Sequence, residues 1–209
     1  MAADLAQFVP TVADWRLASV PKYLQPEEVN SLLKNCDQSK PTGVRDYAIL
    51  LLLSRLGLRA GEVTKMTLED FNWNQGELTI LGKGPRKDRL PIPCDVGEAI
   101  VKYLKHGRPK CRTRRVFVRA RAPYKGFASS GSLCNIVERA LCRSNLEPTH
   151  KGAHLLRHSL ANHMLQKGST IAEIGEILRH QLPNTTEIYT KIDLNALNSL
   201  AQPWPGGEI

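Results

Sequence analysis

Apolar residues recur along this chain mostly at helical spacing, and only briefly in the alternation of a strand. The first twenty residues carry no strong periodicity and read as a linker or arm, although Trp15 and Val20 could pack onto the domain. At Pro26 a helix is predicted. Proline suits a first helical turn, Glu27 and Glu28 sit beside the positive end of the dipole, and Val29, Leu32 and Leu33 form an apolar stripe. From about Val44 to Leu56 the pattern is apolar nearly all round (Tyr47-Ala48-Ile49-Leu50-Leu51-Leu52-Leu53), which marks a helix buried at the centre of the domain. Gly57 ends it, and Leu58-Arg59-Ala60-Gly61-Glu62 opens a further short helix. The period then changes. Glu77 to Leu81 and Arg89 to Pro93 flank Gly82-Lys83-Gly84-Pro85-Arg86-Lys87-Asp88, a β-hairpin with a cationic tip.

Helices are predicted next at about Val96 to Lys105, Ser132 to Arg143, His154 to Lys167 and Thr170 to Leu178. The last has Ser169 as its cap, with Glu173 completing an arrangement like a capping box. Between the first two lie the basic loop Arg108 to Arg115, a short strand at Val116 to Val118, and a flexible stretch to Ser130. Asn184 to Tyr189 and Leu194 to Leu200 read as short helices, and Pro203-Trp204-Pro205 cannot continue the second. The sum is a mainly α fold with one small antiparallel β-sheet or hairpin, an α+β domain over residues 21–201 between an arm at 1–20 and a tail at 202–209.

Length and charge narrow this picture. A chain of 209 residues suffices for one domain with a well-buried core and is short for two. The formal net charge of +9 is concentrated: residues 83–121 hold 13 Lys and Arg against Asp88, Asp95 and Glu98, a local net of +10. That is the footprint of a phosphate-backbone binder, the alternative being a solvated basic face. Five cysteines without a CxxC pair argue against a disulfide framework or structural zinc. The longest apolar run, Tyr47 to Leu53, is too short to span a bilayer, and no cleavable signal is evident, so the expectation is a soluble cytoplasmic protein without a membrane partner.

The residues that could carry chemistry are individually ordinary. Arg59 with Glu62 has the spacing of a surface ion pair, Lys83 that of a solvated turn residue, and Tyr189 could be a core tyrosine with a satisfied hydroxyl. On a helix beginning at His154, that residue and Arg157 share one face and could grip a small anion such as phosphate. His154 and His158 have the spacing of a zinc pair, but no glutamate lies between them and no acidic third ligand is near in sequence, so no metal is assigned.

The order and spacing of these residues change their weight. Gly57-Leu58-Arg59-Ala60-Gly61-Glu62, the Gly82-Lys83-Gly84 hairpin, His154-Leu155-Leu156-Arg157-His158-Ser159, His180, and Thr185-Thr186-Glu187-Ile188-Tyr189 together resemble the tyrosine recombinase (phage integrase) family, from about Tyr23 to Leu200. The resemblance implies that family's catalytic-domain fold and a site-specific recombinase or integrase that cleaves and rejoins DNA through a 3′-phosphotyrosyl intermediate at Tyr189. Arg59 and Arg157 would hold the non-bridging oxygens, Lys83 would protonate the leaving hydroxyl, His154 would accept the phenolic proton, and His180 would hydrogen-bond the phosphate; His158 would be a packing or supporting residue. No cofactor is implied. Arg86, Lys87, Arg89, Arg112, Arg114 and Arg115 are the expected DNA contacts. The partners implied are double-stranded DNA and other protomers in a DNA-bound tetramer, joined through the C-terminal tail. A type IB topoisomerase and a catalytically silent DNA-binding module are the alternatives.

Two features depart from the family pattern. Arg179 stands where glycine usually precedes His180, which adds a cation near the phosphate site. The separate helical domain that typical members carry upstream is not represented, so the chain looks like an excised catalytic domain or a minimal form.

Overall fold

The computed structural model describes residues 22–82, 87–179 and 189. Helices α1 (Pro26–Lys34), α2 (Pro41–Arg55) and α3 (Ala60–Lys65) come first, then a three-stranded sheet, then α4 (Cys94–Lys102), α5 (Gly131–Arg143), α6 (Ala153–Gln166) and α7 (Ile171–Ile177). The expected mainly α architecture with a small antiparallel sheet is what forms.

Helix α2 is the hub. It packs against α1, α3, α4, α5 and α6, and Ala48, Ile49, Leu50, Leu51, Leu52 and Leu53 are buried along every side of it. It starts earlier than the apolar run suggests, because Pro41 needs no hydrogen-bond acceptor at a first helical position. Two of its charged residues, Arg45 and Asp46, are enclosed as well. Arg45 donates to Asp46 Oδ1 (2.7 and 2.9 Å) and to the carbonyl of Val118 (3.1 Å), and lies over the Phe127 ring. A second, smaller cluster (Ala161, Ile174, Leu178 and Tyr189) joins the far half of α6 to α7.

Strands β2 (Glu77–Leu81) and β3 (Lys87–Pro91) form the expected hairpin, with Leu78 opposite Leu90 and Ile80 opposite Asp88. Strand β3 begins two residues before Arg89. A third strand, β1 (Phe71–Asn72), adds to the other edge of β2 and was not foreseen, since two residues cannot display an alternation.

Val116 to Val118 is not a strand. Only the isolated bridges Thr67 with Arg115 and Val118 with Gly126 form there, because other groups take up the backbone. The Arg108 guanidinium donates to the carbonyls of Thr113, Arg115 and Val116, Val116 N–H donates to Met66, and Val118 N–H to the Tyr103 hydroxyl. Helix α4 ends sooner than expected, passing into a π-helical turn at Tyr103–Gly107. The cap of α7 is Thr170 rather than Ser169: Thr170 Oγ1 accepts from Glu173 N–H (3.2 Å) while the Glu173 carboxylate accepts from Thr170 N–H (2.7 Å). The segments expected to be helical at 184–189 and 194–200 fall outside the described residues apart from Tyr189, as do the arm and the tail.

Candidate active site

The chain turns from α2 into α3 at Gly57, whose φ of +56° suits glycine. A β-carbon there would stand 2.6 Å from Leu178 Cδ2. This close approach brings the ends of α2 and α7 against α6. Arg157, buried on α6, uses it: its Nη1 donates to the Gly57 carbonyl and its Nη2 to the Leu178 carbonyl. Those bonds take one hydrogen from each terminal nitrogen and leave the second of each for another acceptor. Burial, then the charges of Arg59 and Arg179, push the Arg157 pKa down to about 10, so it stays cationic at neutral pH.

Arg59 occupies the position just before α3. Its backbone N–H donates to Glu62 Oε2 (2.8 Å) and its Nη1 to Glu62 Oε1 (3.0 Å). This is no ordinary surface ion pair, for the Glu62 side chain is only 7% exposed, against 36% for Arg59. The same carboxylate accepts from Arg179 Nη2 at 2.9 Å.

Tyr189 is 1% exposed, within the small cluster of α6 and α7. Its hydroxyl lies 2.8 Å from Nδ1 of His158. Burial pushes the phenol up to about 12, against a smaller opposing influence from the Arg157 charge. Burial likewise pushes His158 down to about 4, with His154 and Arg157 adding to the effect. His154 lies in the first turn of α6 and is exposed; desolvation, then Arg157 and Arg59, lower its pKa too. Both imidazoles are therefore neutral at physiological pH. The His158 ring neighbours both others, lying 6.4 Å from His154 and 5.7 Å from Tyr189 between centroids.

Of the residues singled out from sequence, the fold brings Arg59, His154, Arg157 and Tyr189 to one region: His154 and Arg157 share α6, Arg157 binds the Gly57 carbonyl two residues before Arg59, and Tyr189 meets His158 beside Arg157. Lys83, Arg86 and His180 lie outside the described residues. Lys87 and Arg89 are exposed on the same face of β3, Arg89 being 3.8 Å from Glu77. Arg112 is exposed, and Arg114 is exposed in an ion pair with Glu69. Arg115 is half-buried and donates to the Lys65 carbonyl, so its guanidinium is partly engaged in the fold. Sequence reasoning underrated three groups: Glu62 as a buried bridge, His158 as the phenol's partner, and Arg179. The signals were present, in the i, i+4 spacing of the two histidines and in an arginine where glycine is usual.

The fold matches solved recombinases. It superposes on a structure titled as the XerH site-specific recombinase bound to palindromic difH substrate with a TM-score of 0.73, at 24% identity, over 87% of this chain and 53% of that one. The model of the phage integrase family matches residues 22–195, and the chain belongs to that family, with the fold of a tyrosine recombinase catalytic domain. It is 47% identical over 204 residues to "Putative integrase/recombinase y4rA" of Sinorhizobium fredii (98% of this chain, 50% of the relative). It is 33% identical over 177 residues to "Tyrosine recombinase XerD" of Listeria innocua (83% of this chain, 59% of the relative). The chain thus spans about half the length of these curated relatives. Among the described residues, no helix is long and apolar enough to cross a membrane.

Proposed function

We propose that this chain is the catalytic part of a site-specific recombinase or integrase that breaks and rejoins double-stranded DNA through Tyr189. The observation that carries this reading is that the Tyr189 hydroxyl meets His158 at 2.8 Å, beside Arg157 on α6, whose guanidinium binds the Gly57 carbonyl two residues before Arg59. In the proposed reaction the phenolic oxygen attacks the scissile phosphorus and forms an O–P bond. The bond to the 5′ oxygen breaks, leaving a 3′-phosphotyrosine and a free 5′ hydroxyl. Arg59 and Arg157 bind the non-bridging oxygens where charge builds, using the donors that Glu62 and the two carbonyls leave over. A phenol whose pKa is pushed up to about 12 is scarcely ionised at neutral pH, so a base must take its proton. The imidazole in contact with the hydroxyl is His158, which orients it and takes its proton at Nδ1, and His154, one turn away on α6, is the final acceptor of that proton. Lys83 supplies the proton to the departing 5′ oxygen and His180 hydrogen-bonds the phosphate. Because the phosphodiester's energy is kept in the covalent link, the reverse steps rejoin the strand, without metal or nucleotide. Lys87, Arg89 and Arg112, with Arg86, Arg114 and Arg115, face the DNA backbone, and the tail beyond Tyr189 joins protomers in a DNA-bound tetramer.

The test is a nicked suicide substrate carrying the recombination site, incubated with the longer parent protein. A covalent protein–DNA adduct should form with the wild type and vanish in Tyr189→Phe. Adduct formation by Tyr189→Phe would remove Tyr189 as nucleophile, and the absence of any adduct with the wild type would favour the DNA-binding module. Relaxation of supercoiled plasmid with no preferred site would favour the topoisomerase.

A further inference from the structure

We propose that Arg179 is a positioning residue for the phosphate site, holding Glu62 so that Glu62 presents Arg59. The inference rests on the catalytic reading above and concerns a residue to which that reading gives no role.

Arg179 directly succeeds Leu178, whose carbonyl accepts from Arg157, and its own Nη2 donates to Glu62 Oε2 at 2.9 Å. Glu62 in turn holds the Arg59 guanidinium through its other oxygen at 3.0 Å. Two consecutive residues after α7 therefore reach both phosphate-site arginines, Leu178 directly through its carbonyl and Arg179 through the Glu62 carboxylate. The spacing of Arg59 and Arg157 is set from this single turn.

The cost of placing arginine there indicates that the contact matters. Arg179 has φ of +54°, a left-handed conformation that burdens any residue with a β-carbon. Its side chain is 7% exposed, as is that of Glu62, so a guanidinium and a carboxylate have both been drawn out of water. Its Nη1 reaches the Ile177 carbonyl at 3.3 Å, and its buried Nε has no hydrogen-bond partner among the described residues. A side chain placed for its own satisfaction would not leave that donor over; this one is placed by its bond to Glu62.

The charges facing it give the arrangement its logic. Arg59 and Arg157 repel Arg179, while Glu62 and, from β3, Asp88 attract it. Without Arg179, the Arg59 backbone N–H alone among the described residues would hold Glu62 Oε2. The carboxylate could then turn to take the Arg59 guanidinium with both oxygens, a fork-to-fork pairing that competes with phosphate for the same donors. Arg179 engages the second oxygen and offsets its charge.

The variants are Arg179→Gly, which relieves the left-handed strain, and Arg179→Lys, which restores a cation. The first readout is independent of activity: the arginine side-chain NMR resonances of the uniformly 15N-labelled protein. Arg59 should show hindered guanidinium rotation in the wild type and an altered resonance in Arg179→Gly, with thermal stability kept. An unchanged Arg59 resonance would overturn the proposal. The second is single-turnover adduct formation on the suicide substrate. Arg179→Gly should slow it about 100-fold, the scale of a misplaced catalytic group, with DNA affinity within about twofold, and Arg179→Lys should recover part of the rate. In a Glu62→Gln background, Arg179→Gly should have at most about a twofold effect, and a full additive loss there would overturn the proposal. If the wild type forms no adduct, the recombinase reading fails, and the Arg59 resonance still decides whether Arg179 sets that side chain.

Discussion

Acidification should destabilise this domain through His158 before it reaches the carboxylates. The ring is held with a pKa of about 4, below the ordinary 6.5, because burial among α6, α7 and Tyr189 opposes its charging and Arg157 and His154 add to that opposition. Between these values the unfolded chain binds a proton that the folded chain refuses. The stability due to neutral His158 is therefore complete above pH 6.5 and is lost as the pH falls toward 4. From pH 6.5 to 5 the loss is at most about 2 kcal/mol at 1.36 kcal/mol per unit, and residual solvent at the ring reduces it to about 1–2 kcal/mol. His154 shifts in the same direction, whereas Asp37, held at about 2 by its bonds to Ser39 and Lys40, titrates below this window. The contribution of His158 is isolated by comparison with His158→Asn, whose amide oxygen can accept from the Tyr189 hydroxyl but does not titrate. Urea unfolding monitored by circular dichroism at pH 7.5, 6.5, 5.5 and 5.0 should give a wild-type stability that falls more steeply than the variant's. Parallel curves would refute the assignment of a buried neutral imidazole against the phenol.

The same packing sets other outcomes. Leu52→Ala, at a fully buried position on α2, should cost about 2–5 kcal/mol of unfolding free energy by denaturant titration, because five helices converge there and cannot all relax into the cavity. Gly57→Ala should cost at least about 1–2 kcal/mol from the left-handed backbone alone. It should also slow adduct formation, since the contact with Leu178 lies between the two carbonyls that hold Arg157.

The buried character of α2 was legible because its apolar residues leave no polar face, and a segment of that kind has only one place in a small domain. The hairpin was legible from its glycines and proline, and the family from the order of the motifs around Arg59, Lys83, His154, Arg157, His180 and Tyr189. What the sequence alone determined was thus which stretches are helical, which is central, and which side chains carry suitable chemistry. The tertiary structure decided their partners. Phe71 and Asn72 become a strand only through β2, and Val116 to Val118 fail to become one because Arg108 and Tyr103 occupy their backbone groups. Tyr189 finds His158 across 31 residues and Arg179 finds Glu62 across 117. Periodicity and local spacing report which face of an element is apolar, but not which distant polar atom will meet which. That choice is made when burial removes water as the alternative partner, and only the packed fold specifies where it does so.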